Sequence, residues 1–162
     1  MAQAYSSANG VKKDDAAAFH WAELAAFLGH SEALGAVGGI YVLGAVGPKK
    51  PDQGLARILR GAEHRDNGSL LLLAEYYASL GRPQNLGMSW RILNTALNQD
   101  LKESPRSRQL QERLRVKGAS QIGKTITGAQ YYQRIEGLLY NSKKDYNAAI
   151  RNFNSRYTPF DG

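Results

Sequence analysis

Residues 31–66 read SEALGAVGGIYVLGAVGPKKPDQGLARILRGAEHRD, and residues 67–100 read NGSLLLLAEYYASLGRPQNLGMSWRILNTALNQD. The two stretches repeat one another. Tyr41 stands 36 residues after Tyr5 and 36 before Tyr77. ARILRGA (Ala56 to Ala62) returns as WRILNTA (Trp90 to Ala96), and the pair Ala25-Ala26 returns as Gly61-Ala62 and Thr95-Ala96. A fixed period of this size marks a chain built by stacking one helical unit, because each unit buries its apolar face only against its neighbours.

Each unit divides into two helices. Ala33, Val37, Gly38 and Tyr41 lie at i, i+4, i+5 and i+8, as do Ser69, Leu73, Ala74 and Tyr77, which puts each set on one helical face. Breakers follow, Gly44 to Pro51 in one unit and Gly81-Arg82-Pro83 in the next. The second helix of the first unit carries Ala18, Trp21 and Ala25 in a four-residue rhythm. Gly38 and Ala74 share a slot in successive units. Glycine inside a helix costs about 0.5–1 kcal/mol, so Gly38 predicts a close helix crossing.

The pattern resembles the Sel-like repeat family, a relative of the tetratricopeptide repeat. Tyr5, Gly10-Val11, Lys13-Asp14, Trp21, Ala25-Ala26 and Gly29 are the matching residues. Later units depart from it: Arg57 and Arg91 stand where Trp21 would recur, and the third unit is shortened in its turn. The resemblance covers residues 1–100, about two and a half units. It implies an all-α fold, a short right-handed α/α solenoid of stacked helix-turn-helix repeats. Tyr5 belongs near the end of a first helix, yet only four residues precede it. The expectation is a piece of a longer protein, or a processed form in which Met1 is an expression start.

Residues 101–162 read as a second, basic region of helices that cap the repeats or lie across them. Residues 1–100 hold nine Lys/Arg against nine Asp/Glu, and residues 101–162 hold twelve against five, so the whole +7 falls here. After the break at Ser104-Pro105 comes a short helix, Ser107 to Val116, with Leu110 and Leu114 on one side. Gly118, Gly123 and Gly128 suggest a loose connection. From Ala129 to Asn154 a helical period returns, as one long helix or as a hairpin turning at Lys143-Lys144-Asp145. Tyr140, Tyr146, Ile150 and Phe153 are expected in its core.

Chemistry-bearing patterns are sparse. Apolar residues make up 43% and charged residues 22%, which is ordinary for a globular chain and argues against extended disorder. The absence of cysteine excludes disulfides, Cys-based zinc sites and thiol catalysis. His20, His30 and His64 lack ligand spacing, so no metal is expected. Neither a signal peptide nor an unbroken apolar run long enough for a membrane span is visible; the longest, about Ala33–Gly47, contains five glycines. A bacterial cell envelope and a bacterial cytoplasm are both compatible with this. Gly118-Ala-Ser-Gln-Ile-Gly123-Lys124-Thr125 fits the phosphate-loop expression, but QLQERLRV before it is charged and helix-patterned rather than a buried strand. It reads as an inter-helix loop that matches by accident. With no catalytic cluster evident, the expectation is a protein that is not an enzyme and carries no cofactor.

The resemblance implies that the first helices line a concave face. By position, Glu32, Gly35, Gly39 and Val42 would face it from one unit, and Leu71, Glu75 and Ala78 from the next. The expected partner is another protein, held there as a peptide or helix; the chain's own C-terminal helix is a rival occupant. The alternative expectation is an acidic partner or polyanion, a nucleic acid or an anionic membrane surface, held by Arg113, Arg115, Lys117, Lys124, Lys143, Lys144, Arg151 and Arg156.

Overall fold

The second helices of the repeated units all stop in the same way. Gly29 (φ 92°), Arg65 (φ 62°) and Asp100 (φ 68°) each adopt the left-handed conformation. The next amide then reaches back five residues: His30 N–H to Ala25 O at 3.1 Å, Asp66 N–H to Gly61 O at 3.1 Å, and Leu101 N–H to Ala96 O at 3.0 Å. This is the Schellman stop, which satisfies carbonyls that a helix end leaves orphaned. Its recurrence puts the sequence period into the backbone. Glycine serves at the first stop; Arg65 and Asp100 adopt the same strained angle without it.

The computed structural model describes residues 12–43 and 50–156, with side chains from 17 to 42 and from 50 to 155. Within them the chain is all-α, nine helices with no strand. They are α1 (Lys12–Phe27), α2 (Ser31–Leu43), α3 (Pro51–Glu63), α4 (Asn67–Leu80), α5 (Pro83–Asn98), α6 (Pro105–Val116), α7 (Ala119–Thr125), α8 (Gly128–Asn141) and α9 (Lys143–Arg156). Tyr5 and its neighbours, the breaker residues 44–49 and the Arg156 side chain lie outside the described residues. Starts follow local chemistry. Pro51, Pro83 and Pro105 open α3, α5 and α6, where a missing N–H costs nothing. The Asp66 carboxylate caps α4 by accepting from Ser69 N–H at 2.8 Å. Ser104 and Thr127 form capping boxes with Ser107 and Gln130.

The strongest packing is within the pairs α2–α3 and α4–α5, and α2 also touches α4, which touches α6. The crossing expected at Gly38 exists. A Cβ on Gly38 would collide with Gly54 O and Ile58, and one on Gly54 would collide with Gly38 O and Val42. In the next pair the Ser89 hydroxyl, fully buried, donates to Ala74 O at 2.6 Å. A Cβ on Gly35 or Gly61 would strike Ser69, so α2, α3 and α4 converge there. The main core runs from Ile58 and Leu59 through Leu73, Tyr77, Met88 and Ile92 to Leu110 and Leu114; Phe19, Leu34, Val37 and Tyr41 form a second cluster.

The C-terminal segment is two helices, α8 and α9, joined end to end at Ser142 and both packed on α3; they do not fold back on one another as a hairpin. No glycine or proline marks the bend between them. The Ser142 hydroxyl donates to Leu139 O at 2.9 Å and accepts from Arg60 Nη1 at 2.5 Å, while the Arg60 guanidinium covers the Tyr146 ring at 4.5 Å. Asn152 donates to Gln53 at 3.2 Å, and Phe153 stacks on Phe27 at 4.8 Å. Three expectations are corrected. Tyr140 is exposed, at 70%, because α8 offers the core its Tyr131, Ile135, Leu138 and Leu139 side instead. Trp21 is also exposed; α1 packs through Ala18, Phe19, Glu23 and Ala26. The supposed loose connection contains helix α7, whose Gly123 is buried against Trp90 and Gly87.

Candidate groove site

A cavity of about 370 Å³ opens where α2, α3, α4 and α6 meet. Gly39 and Val42 line it from α2, Asp52, Leu55 and Ile58 from α3, and Leu72, Glu75, Tyr76 and Ser79 from α4; Arg106 of α6 stands at its rim. That volume lies within the range of small-ligand and peptide side-chain pockets. Leu72, Glu75, Tyr76 and Ser79 are spaced i, i+3, i+4 and i+7, one continuous helical stripe.

Of the residues expected on this face, Gly39, Val42 and Glu75 meet in the cavity. The others are placed elsewhere. Leu71 and Ala78 are buried in the main core, a step of about 100° around α4 from the stripe that lines the cavity. Gly35 does admit another backbone, that of Ser69 in α4. Glu32 is exposed in the first turn of α2 and does not line the cavity. Leu55, Ile58, Leu72 and Tyr76 were missed. The i, i+3, i+4 spacing of Leu72, Glu75 and Tyr76 is the signal that could have found them. At Gly39 a Cβ would touch only Leu72, at 3.7 Å, so a side chain added there points into open space.

The polar rim is partly committed. Arg106 Nε donates to Glu75 Oε2 at 2.8 Å, and Arg106 Nη2 lies 2.7 Å from Glu75 Oε1 at an angle too bent for a hydrogen bond. Asp52, exposed in the first turn of α3, makes no ion pair among the described residues. No residue of α8 or α9 lines the cavity. These helices meet α3 at Gln53 and Arg60, whereas the cavity uses Asp52, Leu55 and Ile58. Positions 55 and 58 sit about 200° around the helix from 53 and 60 respectively, counted in two-residue steps. The two contacts therefore occupy opposite faces of α3.

The basic residues are dispersed over three helices, α6, α7 and α9, and the turn at Lys117. Arg113 donates to Ala78 O at 3.2 Å, satisfying a carbonyl in the last turn of α4. Arg115 is bound to Glu112 through two hydrogen bonds of 2.6 and 2.9 Å, which hold its charge and lower the Glu112 carboxyl below its usual range. Lys143 lies over the Tyr140 ring at 5.1 Å. Lys117, Lys124, Lys144 and Arg151 are exposed and make no ion pair among the described residues. The phosphate-loop string is helical from Ala119 to Thr125. It provides no loop of free amides around a phosphate.

Behind the groove, a buried charged group joins α1, α2 and α3. Tyr41 Oη donates to Glu23 Oε1 at 2.7 Å, Arg57 Nη2 lies 3.7 Å from the same oxygen, and the guanidinium rests on the Tyr41 ring at 4.3 Å. Arg57 Nη1 has no hydrogen-bond partner, and a cavity of about 10 Å³ walled by Glu23, Phe27, Arg57, Tyr146 and Phe153 adjoins it, the size of one water.

Among the described residues no group of three or more His, Asp or Glu gathers as a metal site, and no helix is long and apolar enough to cross a membrane. No protein-family model, curated protein or solved structure matches the chain.

Proposed function

We propose that this protein is a non-catalytic Sel-like helical-repeat scaffold or adaptor, which holds a segment of another protein in the α2–α3–α4 groove. One observation carries the reading: the 370 Å³ cavity is walled by the first helices of two successive units and floored by Leu55, Ile58 and Leu72. Repeat stacks build binding surfaces in this way, and an amphipathic helix anchored by apolar side chains fits such a groove. The recurrent helix stops at Gly29, Arg65 and Asp100 support the repeat assignment.

The test is a peptide-display selection on the immobilised full chain, with Gly39→Phe as the parallel bait. The introduced ring would fill the cavity from a position where the backbone has room. Selected peptides should share apolar anchors and bind Gly39→Phe about tenfold or more weakly. Equal enrichment on both baits would sink the reading.

Binding of a polyanion through the basic third is the competing reading, favoured by the exposure of Lys117, Lys124, Lys144 and Arg151. It requires affinity for duplex DNA or anionic vesicles that falls steeply with log salt concentration. Apolar groove binding changes little across the same titration.

A further inference from the structure

We infer that the groove selects a segment whose apolar anchors are flanked by a basic side chain, with Asp52 as the counter-ion. This rests on the groove reading above and adds the charge of the guest. The chain carries +7 overall, yet among the described residues the groove is lined by two carboxylates, Asp52 and Glu75, against one cation, Arg106. Arg106 is engaged by Glu75, and among the described residues Asp52 makes no ion pair at the rim. A guest lysine or arginine meets an opposite charge there, while a guest carboxylate meets repulsion. The apolar floor cannot make that distinction, so the sign preference is assigned to Asp52 alone. Asp52 is exposed and outside the core, so reversing its charge leaves the packing intact.

The experiment uses three fluorescein-labelled amphipathic peptides with one leucine pattern and flanking Lys, Gln or Glu. Each is titrated with the full chain and followed by fluorescence anisotropy. Affinity should fall in the order Lys, Gln, Glu, by about three- to fivefold at each step, the range of a solvent-exposed ion pair. Asp52→Lys should reverse that order and leave the Gln peptide within about twofold. Equal affinity for all three peptides, or a preference that survives Asp52→Lys, overturns the charge assignment while the groove itself stands. Binding that survives both Gly39→Phe and Leu72→Asp overturns the groove reading instead. Absence of binding by all three peptides overturns both. A dimer in sedimentation that Gly39→Phe dissolves would make a second copy the occupant and also overturn the inference.

Discussion

Tyr41 of α2 donates a 2.7 Å hydrogen bond to Glu23 of α1, and both residues are buried. This bond holds one helical pair to the preceding helix and accounts for the burial of Arg57, whose charge needs the same carboxylate. Glu23→Ala should cost about 3–5 kcal/mol, because it strands a buried cation. Tyr41→Phe should cost about 1.5–3 kcal/mol. The double variant Glu23→Leu, Arg57→Met should recover most of the loss. Urea denaturation measures all three; additive single losses in the double variant would refute the coupling.

Left-handed residues other than glycine carry strain of about 1 kcal/mol or more. Arg65→Gly should therefore stabilise the protein by about 1 kcal/mol. Asp100→Gly should gain less, since a short polar side chain tolerates that conformation better. Calorimetric melting would show the difference as a larger rise in Tm for Arg65→Gly.

The helical glycines divide by their surroundings. Gly38→Ala forces a methyl into Gly54 O and should cost about 1–3 kcal/mol, despite its better helix propensity. Gly137→Ala, in α8 with nothing near it, should gain about 0.5–1 kcal/mol. Opposite signs in equilibrium unfolding are the expected result.

Burial, with Tyr76 nearby, pushes the Tyr77 phenol up to about 12, from an ordinary value near 10. The unfolded chain loses this proton first. Stability is thus complete below about pH 10 and falls between pH 10 and 12, by roughly 2 kcal/mol at the upper end. Tyr131 is shifted in the same direction, mainly by burial, and adds to the slope. Unfolding of Tyr77→Phe at several pH values should give a shallower alkaline decline.

The helical pairs were legible because their period repeats and their ends carry Gly, Pro and Asp signals. The close crossing at Gly38 was legible for a similar reason, since a helix interior keeps a glycine only at a cost. The α4 wall of the groove was readable to within one residue: position 71 was expected where Leu72 stands, a shift of about 100° that a stripe two leucines wide conceals, whereas the α3 wall, Leu55 and Ile58, was not read at all. The bend at Ser142 was not readable, because its cause is Arg60, distant in the chain. The Glu23–Arg57 pair was hidden for the same reason. Two charged residues in different repeats look like surface until the fold buries them together.

Helix α3 is a partition, with the cavity on one face and the C-terminal helices on the other. Thermodynamic reciprocity then applies. If a guest stiffens α3 and tightens the docking of the C-terminal helices by some factor, the docked helices tighten the hold on the guest by that same factor. Under that condition residues from Gly128 onward, none of which lines the cavity, would alter its affinity.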